Sequence, residues 1–181
     1  MSLATEFLST SIRRVRYYKD LAERCFEQLA DDDFYYKPND ASNNIAVIIQ
    51  HMSGNMLSRW TDFLTSDGEK EWRNRDAEFG QLHYSRAELM ALWQKGWDCY
   101  LRSLESLTEE DLLKTITIRQ EPLGVIDAIN RQLAHYPYHV GQIVYIGRMI
   151  RDQQWKSLSI APGASQAYNE QEGVKDPAKR F

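Results

Sequence analysis

Apolar residues recur every three or four positions along four long stretches of this chain, a spacing that only an α-helix gathers onto one face. The first stretch runs from about Leu3 to Leu29, with Leu8, Ile12, Val15, Tyr18, Ala22, Cys25 and Leu29 in step. Asp31-Asp32-Asp33 and the turn-forming Lys37-Pro38-Asn39-Asp40 end it. A second helix, capped by Ser42 or Asn43, continues to about Thr65 and stops at Ser66-Asp67-Gly68. Ser85, followed three residues later by Glu88, is a capping box and starts a third helix that reaches about Leu104. Pro122 and Gly124 lead into the fourth, which runs through about Arg151. Thr108-Glu109-Glu110-Asp111 predicts a helical turn, and Lys114-Thr-Ile-Thr-Ile-Arg119 alternates with period two, which predicts a short extended arm. The expectation is an all-α protein built on four helices.

The two longest linkers, 67–84 and 106–121, leave the order of those helices in space open. About seventeen extended residues span ~55 Å, whereas a helix of about twenty-two residues is only ~33 Å long. Either linker can therefore cross a whole bundle, and up-down-up-down connectivity is not forced.

At 181 residues the chain fits one domain, expected over 1–170, with 171–181 as a loosely ordered tail. Trp155, Leu158, Ile160 and Tyr168 are expected to anchor the segment before it. A net charge of −4 argues against a nucleic-acid surface, which needs a concentrated basic face. The one short basic run, Arg13-Arg14 with Arg16, reads as a solvated helix face. No stretch approaches the ~20 apolar residues of a membrane helix, and the first twenty residues lack the apolar core of a signal peptide. The expectation is a soluble cytoplasmic protein. Cys25 and Cys99 fall inside helical patterns and read as reduced core thiols.

Three of the four histidines carry the chemistry. His135 and His139 stand four residues apart, which puts both imidazoles on one helix face about 6 Å apart at Cβ. That face also carries Ala128, Ile143 and Ile146, so it points inward. In the second helix, Ile45, Ile48, Ile49, Met52, Met56, Trp60 and Phe63 cover an arc of about 120°. His51 lies on its edge in a stripe with Asn44, Asn55, Ser58 and Asp62. Inward neutral imidazoles need partners for both ring nitrogens. Two readings follow. Either each histidine is a hydrogen-bonded core residue, or His51, His135 and His139 offer one nitrogen each to a divalent metal, while Asn55, Asp62, Tyr138 or Gln142 holds the other. Pro137, between two of the histidines, removes a helical hydrogen bond and either re-aims them or is tolerated. His83 reads as a surface residue. The charge-alternating loop 67–79 is either solvated and self-paired, or a lid in which Arg73 or Arg75 meets an anionic substrate. Arg59, on the inward side of the second helix, is expected to pair with an acid of that loop or with Asp62.

Several of these motifs together resemble a branch of the DinB/YfiT-like metalloenzymes. They are Asn43-Asn44, Ile49-Gln-His51-Met-Ser-Gly-Asn55, the run Ser58–Lys70 and Arg73-Asn-Arg-Asp76. Ile129-Asn-Arg-Gln-Leu-Ala-His135, Tyr138-His139-Val-Gly-Gln142-Ile-Val-Tyr and Trp155-Lys-Ser-Leu-Ser-Ile160 extend the likeness over roughly residues 1–170. The resemblance implies a four-helix bundle with a long crossover between the second and third helices. It also implies a divalent metal, zinc or nickel, on His51, His135 and His139, and a homodimer. Some relatives are transferases or isomerases that use a low-molecular-weight thiol; this branch looks like one of unknown function. Ala161-Pro162 and Pro137 depart from the branch's pattern without removing a ligand.

Two functions fit these expectations. One is a metal-dependent enzyme acting on a small-molecule substrate, by thiol transfer of the bacillithiol type or by hydrolysis. Asp62 is the base available to the latter, and no Glu flanks the histidines as in His-Glu-x-x-His metalloproteases. The other is a helical protein that binds metal or a small ligand without turnover; where the histidines are polar core fillers instead, the chain is a metal-free interaction protein. No residue is assigned a catalytic role by sequence.

Overall fold

The computed structural model describes residues 2–80 and 83–181 and is mostly helical. Four long helices share one core: α1 Leu3–Phe26, α2 Ile45–Trp60, α3 Arg86–Ser106 and α4 Val125–Arg151. A short α5, Ser165–Glu170, follows.

Side chains fix the helix starts. Ser2 Oγ accepts from the Thr5 N–H, and Asn44 Oδ1 accepts from the Val47 N–H at 2.9 Å. The Ser85–Glu88 capping box forms as the spacing predicts, with the Ser85 N–H donating to Glu88 Oε2 at 2.8 Å.

α2 packs along α3, and α1 packs along α4; contacts between α1 and α3 and between α2 and α4 join the two pairs. Small residues set these approaches. A Cβ on Gly96 would lie 2.9 Å from Ser53 Cα, so α3 meets the α2 backbone directly. One on Gly147 would lie 2.5 Å from Cys25 Sγ, between α4 and α1. α2 is buried on nearly every side, including its polar Ser53, Asn55, Ser58 and Arg59. At the centre Tyr100 packs against Trp60 and Tyr136, with ring centroids 4.5 and 5.0 Å apart. Cys25 and Cys99 are both free thiols.

α2 ends at Trp60, five residues before the expected stop. Asp62 adopts φ +49°, a left-handed conformation that a continuing helix cannot contain. The chain then folds back along α2 through a 3-10 turn at Asp76–Phe79. The extended arm becomes a hairpin, β1 Thr115–Ile118 against β2 Glu121–Gly124, with Thr115 opposite Gly124 and Ile118 opposite Glu121. Gly68 ties the returning segment to it, its N–H donating to the Thr117 carbonyl at 2.8 Å.

Within residues 171–181, Pro177–Arg180 form a turn against α1, where Ala178 is buried and Arg14 pairs with Asp176 at 2.5 Å. No helix among the described residues is long and apolar enough to cross a membrane.

Candidate metal centre

α2 supplies His51, and α4 supplies His135 and His139 from successive turns. Their ring centroids stand 5.6 Å (His51 to His135), 5.0 Å (His51 to His139) and 4.8 Å (His135 to His139) apart. One nitrogen from each ring lies within 4.8 Å of the other two, so the three could hold a metal ion. α4 continues unbroken through Pro137.

Each ring is pinned through Nδ1 to an oxygen. His51 Nδ1 lies 2.9 Å from Glu78 Oε2, His135 Nδ1 3.2 Å from Gln132 Oε1, and His139 Nδ1 2.9 Å from Gln142 Oε1. These oxygens only accept, so each Nδ1 carries the proton and a neutral ring turns its Nε2 lone pair the other way. The Nε2 atoms of His135 and His139 then face each other at 3.1 Å. A shared proton could bridge them, but both rings resist protonation. Burial, then the neighbouring His139 and His51, and then Arg131 and Arg73 push His135 down to about 3. Burial and His51 likewise lower His139 against the raising effect of Gln142. Two lone pairs so placed call for a cation. Two ligands at ~2.1 Å from one ion stand about 3.0 Å apart at a right angle and about 3.4 Å apart at the tetrahedral angle.

The support for His51 reaches deeper. Glu78 also accepts from Arg73, Nε to Oε1 at 2.7 Å and an Nη to Oε2 at 3.0 Å. The Arg73 and Glu78 side chains are only 2% and 6% exposed, so this is a buried ion pair with both carboxylate oxygens committed. Burial alone would raise the Glu78 carboxyl; the bonds from His51 and Arg73 outweigh it and hold Glu78 below its ordinary value. Gly54, one turn after His51, makes room: a Cβ there would collide with Glu78 Oε1. A carboxylate behind a metal-facing histidine fixes its tautomer and raises its basicity.

The residues expected behind the histidines divide. Gln142 holds His139, as above. Asn55 makes no hydrogen bond to an imidazole among the described residues; its Oδ1 accepts from the Tyr136 hydroxyl at 3.0 Å, whose oxygen in turn accepts from Trp60 Nε1 at 3.3 Å. Tyr138 is 63% exposed, its ring 5.1 Å from His139 by centroid. Asp62 does not reach the centre. It is exposed beyond the end of α2 and lines a separate hollow with Cys99 and Arg102, because the stripe that linked it to His51 ends with the helix. His83 is exposed, as expected.

Glu78 and Gln132 were not singled out from the sequence. Gln132 precedes His135 by the same three positions at which Gln142 follows His139, and that symmetry is a usable signal. Glu78 offers none, being one acid among several in a charged loop.

Beside His51 and His135 lies a cavity of about 370 Å³ into which five arginines converge: Arg59, Arg73, Arg75, Arg119 and Arg131. Arg59 pairs with Glu69 at 3.0 Å, an acid of the loop as expected, and Arg119 shares that carboxylate at 2.9 Å.

Helical architecture and cluster together define a class: a mostly helical protein with three histidines able to hold a metal ion beside a basic cavity. The chain belongs to the DUF1572 family of proteins of unknown function, whose sequence model matches residues 2–164. That family is DinB/YfiT-like. No curated protein and no solved structure matches the chain.

Proposed function

We propose that this protein is a metal-dependent enzyme in which His51, His135 and His139 hold one divalent ion, zinc or nickel, within a DinB/YfiT-type four-helix bundle whose α2–α3 segment is the long crossover. The observation that carries the reading is the orientation of the three rings, with every Nδ1 spent on an oxygen and the Nε2 atoms of His135 and His139 opposed at 3.1 Å. Such an ion supplies a positive charge that acidifies a bound water or thiol.

Around it, Glu78, Gln132 and Gln142 keep the rings neutral and aimed. Glu78 has no free oxygen for proton transfer, and among the described residues no Asp or Glu lines the adjacent cavity. Chemistry that needs a protein carboxylate as base finds no candidate there. Transfer of a low-molecular-weight thiol to an electrophile makes no such demand and is therefore the reaction we favour over hydrolysis. One domain over 1–170 and a homodimer belong to the same reading; sedimentation of the purified protein tests the assembly.

Elemental analysis of freshly purified protein tests the centre. We expect stoichiometric zinc or nickel in the wild type and none in His135→Ala, which should also lose activity in a panel pairing thiols with electrophiles. Full metal content in the variant would overturn the assignment.

A further inference from the structure

The cavity beside the histidines is lined by hydrogen-bond donors. Asn55 spends its oxygen on Tyr136 and Gln132 spends its oxygen on His135, so each is left with an amide NH₂ to offer. The rest of the polar lining is guanidinium and imidazole, and among the described residues no carboxylate lines it. In a chain of net charge −4 this is a local reversal of sign.

The five arginines are not equivalent. Arg59 and Arg73 are buried and answered by Glu69 and Glu78, so they belong to the framework. Arg119 has only a share of Glu69. Among the described residues Arg75 has only Asp76, at 3.9 Å, the Asp76 side chain being 99% and that of Arg75 52% exposed. Arg131 has no carboxylate partner among the described residues. Arg75 is anchored through its guanidinium, Arg119 through its backbone, and Arg131 is placed by its helix. The Arg75 guanidinium stands 5.1 Å over the Phe79 ring, which packs 5.0 Å from His51. Arg119 sits at φ +57° in the hairpin turn, where Asp67 accepts its N–H at 2.8 Å and that of Gln120 at 2.7 Å. Arg131 lies one turn before His135 in α4. Guanidiniums brought together without answering carboxylates repel one another, and an anion between them reverses that cost.

We propose that this cavity takes the acidic end of an anionic substrate, a small molecule bearing carboxylate or phosphate, which Arg75, Arg119 and Arg131 bind while its reactive end reaches the three histidines. The inference rests on reading those histidines as the reactive centre, and it adds the class of substrate that the centre serves. A volume of about 370 Å³ suits a small metabolite and excludes a folded partner. The guanidinium fork matches carboxylate and phosphate alike, so the two sources are separated by experiment.

Calorimetric titration of the purified protein with succinate and with inorganic phosphate tests this, with succinamide as the uncharged control. Saturable binding of at least one anion is expected, weakened by salt, with no comparable binding of succinamide. Arg131→Gln and Arg75→Gln should each lose about tenfold or more in affinity, as expected for a lost charge-assisted hydrogen bond. Arg102→Gln, in the separate hollow near Asp62, should leave it unchanged. Absence of saturable binding, equal binding of succinamide, or indifference to both arginine variants would overturn the proposal. Metal content measured on the same samples keeps the two ideas apart. Arginine-dependent binding by metal-free protein would leave the anion site standing and remove the metal reading, whereas full metal with no anion binding would do the reverse.

Discussion

Gly54 is the residue on which the support of His51 turns. An interior helical glycine replaced by alanine ordinarily gains about 1 kcal/mol of stability through helix propensity. Here the added methyl collides with Glu78 Oε1, which accepts from Arg73 Nε, on the carboxylate whose other oxygen holds His51. Gly54→Ala is expected to displace Glu78 from His51 and weaken metal binding by about 10- to 100-fold, the usual loss when the partner behind a ligating histidine is removed. Competition with a chromophoric chelator measures it; unchanged affinity would mean that Glu78 does not tune His51. At this scale the sequence was informative where contacts are local. The i, i+4 spacing of His135 and His139 and the i, i+3 spacing to Gln142 are helical geometry and are readable as such. The pairing of Glu78 with His51 spans twenty-seven positions and depends on how a loop folds back, which no periodicity encodes.

Among the elements, the β1–β2 hairpin is the one whose turn chemistry is unusual. Tight hairpin turns with two left-handed residues favour Asn-Gly, yet Arg119 and Gln120 take φ +57° and +65°. Asp67 compensates, its carboxylate accepting from the N–H groups of Glu69, Gln120 and Arg119. The same bonds, led by that of Glu69, pull the Asp67 carboxyl down to about 2 from an ordinary 3.8. A carboxyl lowered on folding contributes stability that is complete above its unfolded value and is lost as pH falls toward its folded one. Asp67→Asn should therefore be less stable than wild type at neutral pH, with the gap closing between about pH 4 and pH 2. Melting temperatures of the two proteins across that range test it; a gap that persists at pH 2 would count against a charged clamp. The alternating Thr-Ile-Thr-Ile of β1 announced a strand. The turn did not announce itself, because neither residue in it is a usual turn former and the compensating acid lies fifty-two positions away. The apolar pattern overruns the end of α2 for a related reason: Phe63 keeps helical spacing with Trp60 and stays buried at 6% exposure, although Asp62 has already broken the helix.

For the whole molecule, the four helices and their inward faces were legible because burial repeats with the helical period over many residues. Their arrangement was not, since both linkers were long enough for several connectivities. Glycines at 96 and 147, which let α3 meet α2 and α4 meet α1, carry no periodic signal of their own. The core those contacts build is one continuous cluster of buried apolar side chains. Chelation should accordingly leave the far-ultraviolet circular dichroism intact while lowering the melting temperature. An ion present at about a hundred times its dissociation constant contributes ~2.7 kcal/mol, which for a chain of this size corresponds to roughly 5–10 °C. Collapse of helicity on chelation would mean that the ion is a folding requirement instead.

The three histidines are not drawn from one helical pair. His51 belongs to the α2–α3 couple, and His135 and His139 to the α1–α4 couple. An ion seated among them would act as a rivet through both halves, so that prying the couples apart and emptying the centre would become a single event. Amide hydrogens along that seam should then exchange at a rate governed by ion concentration, while those inside either couple keep their own pace.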